Sequence, residues 1–596
     1  MTPQEKLARI REKMTEKGLS ALILFHTDPH QSEYLADRWN TMPWLTGFTG
    51  SAGTVLITRD QAGLWTDSRY FIQAEEELKG SGFELMKLKV PHTSEYISWL
   101  LDHCPENGRV GVEASIISMA RKDKLEEKLK RKQLRLVDAS SIIEDIWTER
   151  PGLPEEKIFA HEVAFTGKSR EEKIKIIRQH MDEDFARFYL MTALDEIAWT
   201  FNLRGKDVFY NPVFYAYAII EKERALLFVD EKKIEEDLKE ELRSQGISLR
   251  SYNKIFDHLS DLPPKASLAL DSSKLSWKMQ QSLPSGLTLV NIKSYAGHLK
   301  GVKNEREIER IRKVMIRDGI ALVKFFRWIK EVAADEGVTE YEAGLKLDEF
   351  RAEQPHYVGP SFHPIVGYKA NGAIVHYRAD EDSSSMIFDD GMLLVDSGGQ
   401  YLDGTTDITR TISFDPPSPE KKRDFTLVLK GNIQLSRAIF PEGTKGFQIE
   451  SLARIPLWNQ LMNYGHGTGH GVGFFLNVHE GPQSLGSSAS GGAAVALKPG
   501  MLTSNEPGIY HEGKYGIRIE NLILCVEKGE SENYGTFLGF EDLTLFPIER
   551  QLIDKEMLNK EEIDWLDAYH NLVFEQLSPH LDEAEKDWLK EACQAL

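Results

Sequence analysis

Residues 393–411 read LLVDSGGQYLDGTTDITRT. An apolar strand runs into Asp396, Asp403-Gly404 supplies a turn signal, and Asp407 sits on the returning strand. Such a hairpin sets Asp396 and Asp407 side by side. An aspartate next to a turn is ordinarily a cap or turn residue, so this pair acquires chemical meaning only from its company.

That company lies downstream, in SNEPGIYHEGKYGIRIEN at 504–521. Glu506 and Glu520 are equidistant from Gly513, the natural tip of a second hairpin, and this spacing places them opposite each other on one face. Glu520 stands between Ile519 and Asn521-Leu-Ile-Leu, in a strand that reads as interior. Arg518, two residues earlier, projects to the same face and is placed to orient the carboxylates. Between the two acidic pairs lies YGHGTGHGVG, 464–473. His466 and His470 are four residues apart, but alternating glycines forbid a stable helix. They imply backbone packed close against a neighbour, or special dihedral angles. His479 follows in NVHEGP. Val472 stands where a dinucleotide fingerprint would need glycine, so that motif is rejected.

Four carboxylates on inward faces of neighbouring strands would repel one another and lose hydration, and cannot all stay ionised. Two divalent cations would balance them. A carboxylate-rich set with one imidazole suits two hard or borderline metals such as Mn²⁺, with Zn²⁺ or Co²⁺ as alternatives. Such ions lie roughly 3.5–4 Å apart, share and acidify a water, and polarise a carbonyl. The implied chemistry is hydrolysis of an amide or ester. No GxSxG or Walker A motif competes, and Cys525, in the apolar run LILCVE, reads as a core thiol.

Outward from this region, Ile308, Ile311, Met315, Leu322, Phe326 and Ile329 mark one face of a long helix. Ser484 to Ala494, SLGSSASGGAA, reads as a mobile loop. Near the end, Asn559 and Glu562 form a capping-box pattern followed by Ile563, Leu566 and Val573. At the start, Leu7, Ile10 and Met14 predict a helix stopped by Gly18. A strand over Ala21–Phe25 and a hairpin of 53–58 with 64–67 follow. Strand and helix signals alternate to about residue 155, as in an α/β domain, and Glu149-Arg-Pro-Gly-Leu-Pro154 reads as a linker. A second α/β stretch faintly echoes the first. Ile57 precedes Asp67 by ten residues and Ile220 precedes Asp230 by ten, each across a strand–turn–strand segment. The expected domains are 1–155, 156–300 and 301–596. That is three, within the three or four that a chain of 596 residues suggests at roughly 150 per domain.

The chain carries 73 basic and 93 acidic side chains, a formal charge of −20, which argues against a nucleic-acid partner. Its 41% hydrophobic and 28% charged content is that of a globular protein. Cys104, Cys525 and Cys593 make neither a disulfide framework nor a CxxC site. The opening MTPQEKLARIREKM has no apolar leader. The longest apolar run, Val213 to Ile220, is far short of the ~20 residues a membrane span needs. A cytoplasmic location is expected.

The ordered set Asp396, Asp407, His470, Glu506 and Glu520 resembles the metal ligands of the pita-bread metallopeptidases. The words around it, with HGTGHGVGFFLNVHEGP (466–482), are similar to those of the aminopeptidase P, or Xaa-Pro aminopeptidase, family. HQSEYLADRW, GFTGSAGT and LWTDSRYFIQA resemble the first domain of its long, three-domain cytosolic form, and LDEIAWTFNLRGKDVFYNPVF the second. The C-terminal DWLDAYH also fits. The resemblance implies two tandem creatinase-like α/β domains, then a pita-bread catalytic domain of curved antiparallel sheet backed by helices, an α/β and α+β multidomain chain.

It also implies roles. Asp396 and Asp407 would bind one metal, Asp407 and Glu520 would bridge, and His470 and Glu506 would complete the other. Glu506 would act as the base. His466 would contact the scissile amide, His376 and His479 would flank the substrate, and Arg69 would touch the peptide from the N-terminal domain. The implied substrates are peptides with proline second, and a homodimer is expected, with the amphipathic C-terminal helices available for it. One departure stands out: VGYKANGAIVHY (366–377) brings Lys369 near the expected substrate side. Prolidase, acting on Xaa-Pro dipeptides, and a non-catalytic binding module of the same fold are the alternatives.

Overall fold

The computed structural model describes residues 1–89 and 94–596. It divides into two compact units, one of residues 1–161 and 168–296, the other of residues 162–167 and 297–596.

The first unit holds two six-stranded sheets. In one, the strand Ala21–Phe25 has the antiparallel pair Thr54–Thr58 and Ala62–Thr66 on one side, extended by Glu84–Lys87. Arg109–Val112 and Arg135–Asp138 lie on the other side. In the other sheet, Phe188–Met191 takes the central place, flanked by Ala216–Glu221, Ala225–Val229 and Ile247–Arg250, and by Ser267–Leu270 and Thr288–Asn291. Strand order and directions are the same in both. The faint repeat is therefore real at the level of register. Ile57 pairs with Ala62 and Ile220 with Ala225 at the same step of the two hairpins.

The duplicated domains also grip one another by an equivalent loop. Ser118 and Ser276 each cap a helix. Beside them, Met119 donates its N–H to Leu275 and Trp277 donates to Ile117, at 2.7 and 2.8 Å. Each domain has its own apolar core, one built on Leu22, Val55 and Ile57, the other on Leu190, Ile219 and Phe228. The first helix, Pro3–Glu16, buries Leu7, Ile10 and Met14 as the periodicity requires.

The longest helix of the second unit is Glu305–Ala334, whose capping box joins Asn304 to Glu307. It buries Ile311, Met315, Leu322, Phe326 and Ile329 in one core with Val395, Ile412, Val428, Leu502, Ile519 and Leu522. The sheets supply the other wall. Ile365–Tyr368, Met392–Ser397 and Ile408–Ser413 form one antiparallel set. Ile439–Pro441, Gly535–Asp542, Asn521–Ser531 and Leu502–Asn505 form another. The hairpin of Gly508–His511 with Tyr515–Arg518 stands between.

Two expectations need correction. The C-terminal helices Lys560–Leu577 and Glu583–Ala592 spend their apolar faces inside this unit, where Leu566, Val573, Leu577 and Leu589 are part of the same core. That face is therefore not offered to a second copy. The segment 484–494 is partly regular: Ser484–Leu485 pairs with Gly469–His470, and Gly491–Ala494 forms a short helical turn. The hairpin between the two aspartates holds: the ladder that begins with Met392 and Ser413 keeps its register to Tyr401 with Gly404 and closes on a two-residue turn at Leu402-Asp403. Gly399–Tyr401 pairs with Tyr357–Pro360 and with Gly404–Thr405 in a small sheet of its own.

Candidate metal centre and active site

Asp396 lies near the end of the strand Met392–Ser397 and faces Thr409, not Asp407, across the ladder. Asp407 immediately precedes the strand Ile408–Ser413. The two aspartates are therefore diagonal neighbours. Asp403, in the turn of this hairpin, is fully buried, with Arg317 at 2.5 Å from its carboxylate.

The Glu506–Glu520 expectation rests on firmer register. Residues on either side pair symmetrically about Gly513, from Leu502 with Leu524 to His511 with Tyr515. The two glutamates fall in the gap between these ladders because their backbones bond elsewhere. Glu520 N–H donates to Thr409 O at 3.1 Å, and Glu506 N–H donates to Thr468 O at 2.8 Å. Two segments far apart in sequence are thus tied to the same spot.

The glycines around His470 serve close approach. A Cβ on Gly469 would collide with the carbonyl of Ser504, and one on Gly471 with that of Glu480. Neither residue has positive φ. The loop consequently lies flat on the strand Leu502–Asn505 and carries His470 to the carboxylates. One ligand atom each from Asp407, His470 and Glu520 falls within a 4.8 Å cluster. His470 Nε2 is 3.5 Å from Asp407 and 3.7 Å from Glu506. His470 Nδ1 lies 3.0 Å from the Gly471 carbonyl. A carbonyl can only accept, so Nδ1 carries a proton, and in the neutral ring Nε2 turns its lone pair toward the carboxylates. A lone pair aimed at anions is repulsive unless a cation stands between them.

The electrostatics point the same way. Burial, then the charges of Glu520, Asp396 and Glu506, holds the Asp407 carboxyl far above its ordinary range. Burial and the neighbouring Glu506 and Asp396 do the same to Glu520. Burial pushes Glu506 up to about 7, against the pull of Arg518. Asp396 Oδ1 is buried with no hydrogen-bond partner among the described residues, an acceptor left for something absent from the chain itself. These residues fit a pair of divalent cations.

Arg518 orients the set. It reaches Asp396 at 2.6 Å, Thr409 at 3.1 Å and the hydroxyl of Tyr510 at 2.7 Å. Thr409 in turn donates to Glu520 at 2.7 Å. Tyr510 was not singled out from sequence, although it lies four residues after Glu506 on the same period-two face. Its hydroxyl joins Arg518 to His466 Nε2, 2.8 Å away. His466 Nδ1 rests on the Gly467 carbonyl at 2.8 Å, so Nε2 accepts from Tyr510. His479 sets its ring edge-on to that of His470, centroids 4.3 Å apart.

His376 is half-buried and follows the turn Lys369–Ala373. Glu340, wholly buried, anchors that segment by accepting from Tyr368, Asn371, Tyr377 and Ser385 at 2.7–3.0 Å. Lys369, expected near the substrate side, has its charge paired locally. It pairs with Asp390 at 2.7 Å and covers the Tyr368 ring. It follows Tyr368, at the far end of a strand whose Ile365 faces Asp396, about 13 Å of extended chain away. Arg69 belongs to the other unit, where both arms of its fork meet Asp67 at 2.8 Å. Cys525 is buried, and burial pushes its thiol up to about 12, as an inert core residue requires.

Converging carboxylates, one imidazole and an orienting arginine define a metal-dependent hydrolase. Comparison with known proteins makes the class specific. Residues 309–527 match metallopeptidase family M24 and 536–596 its C-terminal region, while 6–146 and 149–307 match creatinase/prolidase N-terminal domains. A probable Xaa-Pro aminopeptidase P of Coprinopsis cinerea is 39% identical over 98% of this chain and 97% of its own. Aminopeptidase P2 of Arabidopsis thaliana is 38% identical over 98% of this chain and 87% of its own. The crystal structure of the X-prolyl aminopeptidase from Caenorhabditis elegans, described as a cytosolic enzyme with a di-nuclear active site, has a TM-score of 0.95. It is 33% identical and covers 100% of both chains. The chain belongs to metallopeptidase family M24, in its aminopeptidase P branch.

Proposed function

We propose that this protein is an Xaa-Pro aminopeptidase, releasing the first residue from peptides whose second residue is proline. The observation that carries the reading is the closure of Asp407, His470 and Glu520 into one cluster within 4.8 Å, in a chain alike from end to end to relatives so named. Asp396, Asp407, His470, Glu506 and Glu520 would hold two divalent cations, with Asp407 and Glu520 shared. When bound, the ions would neutralise the buried carboxylates, acidify water and polarise the scissile carbonyl.

The chain's own groups do the rest. Glu520 is engaged by Thr409 at 2.7 Å, whereas Glu506 is met more loosely, by Ser504 at 3.4 Å and His470 at 3.7 Å, with its side chain 19% exposed. Glu506 is thus the carboxylate left to take up a proton. His466, steadied by Tyr510, would meet the scissile amide. His376 and His479 would bound the substrate. An Xaa-Pro bond is a tertiary amide with no N–H, so a site shaped for the ring handles what donor-seeking peptidases do not. We take the metal to be Mn²⁺, since oxygen donors with one imidazole suit it. We place the enzyme in the cytoplasm as a homodimer, organised in domains 1–155, 156–300 and 301–596.

The test is release of the first residue from an Xaa-Pro-Xaa tripeptide, with an Xaa-Pro dipeptide and an Xaa-Ala-Xaa tripeptide alongside. Turnover of the first substrate alone, needing two bound metal ions and lost in a folded Glu506→Ala variant, is the expected result. Preference for the dipeptide would make the enzyme a prolidase. Absence of stoichiometric metal would make it a binding module.

A further inference from the structure

We propose that Glu480 is a positioning residue for the histidine-bearing loop, and that two buried lysines, Lys300 and Lys303, hold it in place. The inference rests on the aminopeptidase reading and extends it to residues outside the metal set.

Lys303 Nζ lies 2.7 Å from Glu480 Oε1, and Lys300 Nζ lies 3.0 Å from Oε2. Lys303 also donates to the Lys300 carbonyl at 3.0 Å. The three residues are 4%, 3% and 3% exposed. Lysines are almost never buried so deeply without a partner, and taking these ammonium groups and the Glu480 carboxylate out of water is costly. Apolar side chains of similar volume would fill this space at lower cost. Stability alone therefore does not account for the cluster.

Its place in the loop suggests what does. Glu480 directly follows His479. Its N–H donates to Gly471 O at 2.7 Å, and Gly471 N–H donates to Gln483 O at 3.1 Å, so Glu480 sits where the two arms of the loop cross. A Cβ on Gly473 would stand 2.8 Å from the Asn477 carbonyl and 2.9 Å from Glu480 Oε2, so a third glycine of the run lets the loop close around this carboxylate. Fixing the Glu480 carboxylate fixes the His479 backbone. The His479 ring edge then bears on His470, and His470 faces Asp407. The lysines arrive from the opening segment of this unit, 177 residues earlier in the chain for Lys303.

The test compares the wild-type enzyme with Glu480→Gln and with a charge-free triple variant, Lys300→Met, Lys303→Met and Glu480→Met. Melting temperature, Mn²⁺ affinity, kcat and KM are measured for each. If the role is positioning, the triple variant melts at or above the wild-type temperature, yet binds Mn²⁺ about tenfold more weakly and loses kcat about tenfold with little change in KM. Wild-type kcat and Mn²⁺ affinity in the triple variant would reduce the clamp to packing and overturn the proposal. Should the triple variant fail to fold, Glu480→Gln decides, because it keeps the shape, and unchanged kcat and Mn²⁺ affinity there would be equally fatal. If the wild type releases no first residue, the aminopeptidase reading falls, and the comparison of Mn²⁺ affinities still judges the clamp.

Discussion

Arg518 touches Asp396 through one carboxylate oxygen only, at 2.6 Å, and leaves the other, Oδ1, buried and without a hydrogen-bond partner among the described residues. A carboxylate so divided has one oxygen for orientation and one for a cation. Groups that orient a metal ligand typically matter ~10–100-fold in affinity or activity. Arg518→Lys, which keeps the charge but loses the fork, is expected to lower Mn²⁺ affinity by about that factor. Titration of the metal-stripped variant measures it, and wild-type affinity would mean that Asp396 needs no such support.

Tyr510 is expected to matter through its hydroxyl alone. Tyr510→Phe removes the contacts to His466 Nε2 and Arg518 at 2.8 and 2.7 Å while keeping the ring. A hydrogen bond involving a charged group is worth ~1.5–3 kcal/mol, so kcat/KM on a tripeptide is expected to fall about ten- to hundredfold. Metal content is expected to stay at the wild-type level. A variant as active as the parent would show that His466 does not depend on this relay.

Metal removal gives a signed pH dependence. In the metal-free protein Glu506 is raised from 4.5 to about 7. A carboxyl raised on folding lends stability in full below its unfolded pKa and loses it as pH rises through the folded one. The metal-free protein should therefore weaken between about pH 4.5 and 7, the window of that shift. Bound cations oppose this, because a ligand of the native state stabilises it by mass action. Melting curves with and without chelator should diverge as pH rises. A constant or shrinking gap would be incompatible with ions held by these carboxylates.

His570 gives the opposite sign, away from the metal centre. Its Nε2 accepts the Ile548 N–H at 3.1 Å, and burial, aided by the charges of Arg410 and Arg550, pushes the imidazole down to about 3. A histidine held neutral contributes stability above its unfolded pKa of 6.5 and loses it as pH falls toward 3, with a limiting slope of ~1.4 kcal/mol per pH unit. His570→Gln keeps an acceptor and has no proton to gain. Its melting temperature should fall less between pH 6.5 and 4.5 than that of the wild type. Equal slopes would remove His570 as the source.

Much of the site could be read locally. The symmetry of Glu506 and Glu520 about Gly513 is a statement about turn chemistry and a two-residue period, and both survive folding because hairpin register is fixed at its tip. The duplicated hairpins, with Ile57 and Ile220 at matching steps, were visible for the same reason. The Asp396–Asp407 hairpin was legible for that reason too, since its register closes at Tyr401 with Gly404, whereas its further partner Tyr357–Pro360 lies about forty residues back and left no local signal. The apolar stripe of the last helices was legible as a stripe, but a stripe does not say what covers it. Lys369 was placed by sequence neighbourhood, and Asp390 claims it.

The sequence by itself determined the kinds of donor present, their order along the chain and the faces of the strands that carry them, because these follow from side-chain chemistry and short-range geometry. Tertiary structure alone decided that Thr409 reaches Glu520 across 111 residues, that glycines let His470 settle against Ser504, and that Arg518 takes one oxygen of Asp396 and not the other. Contacts between remote segments depend on how whole faces pack, and no local pattern encodes that packing.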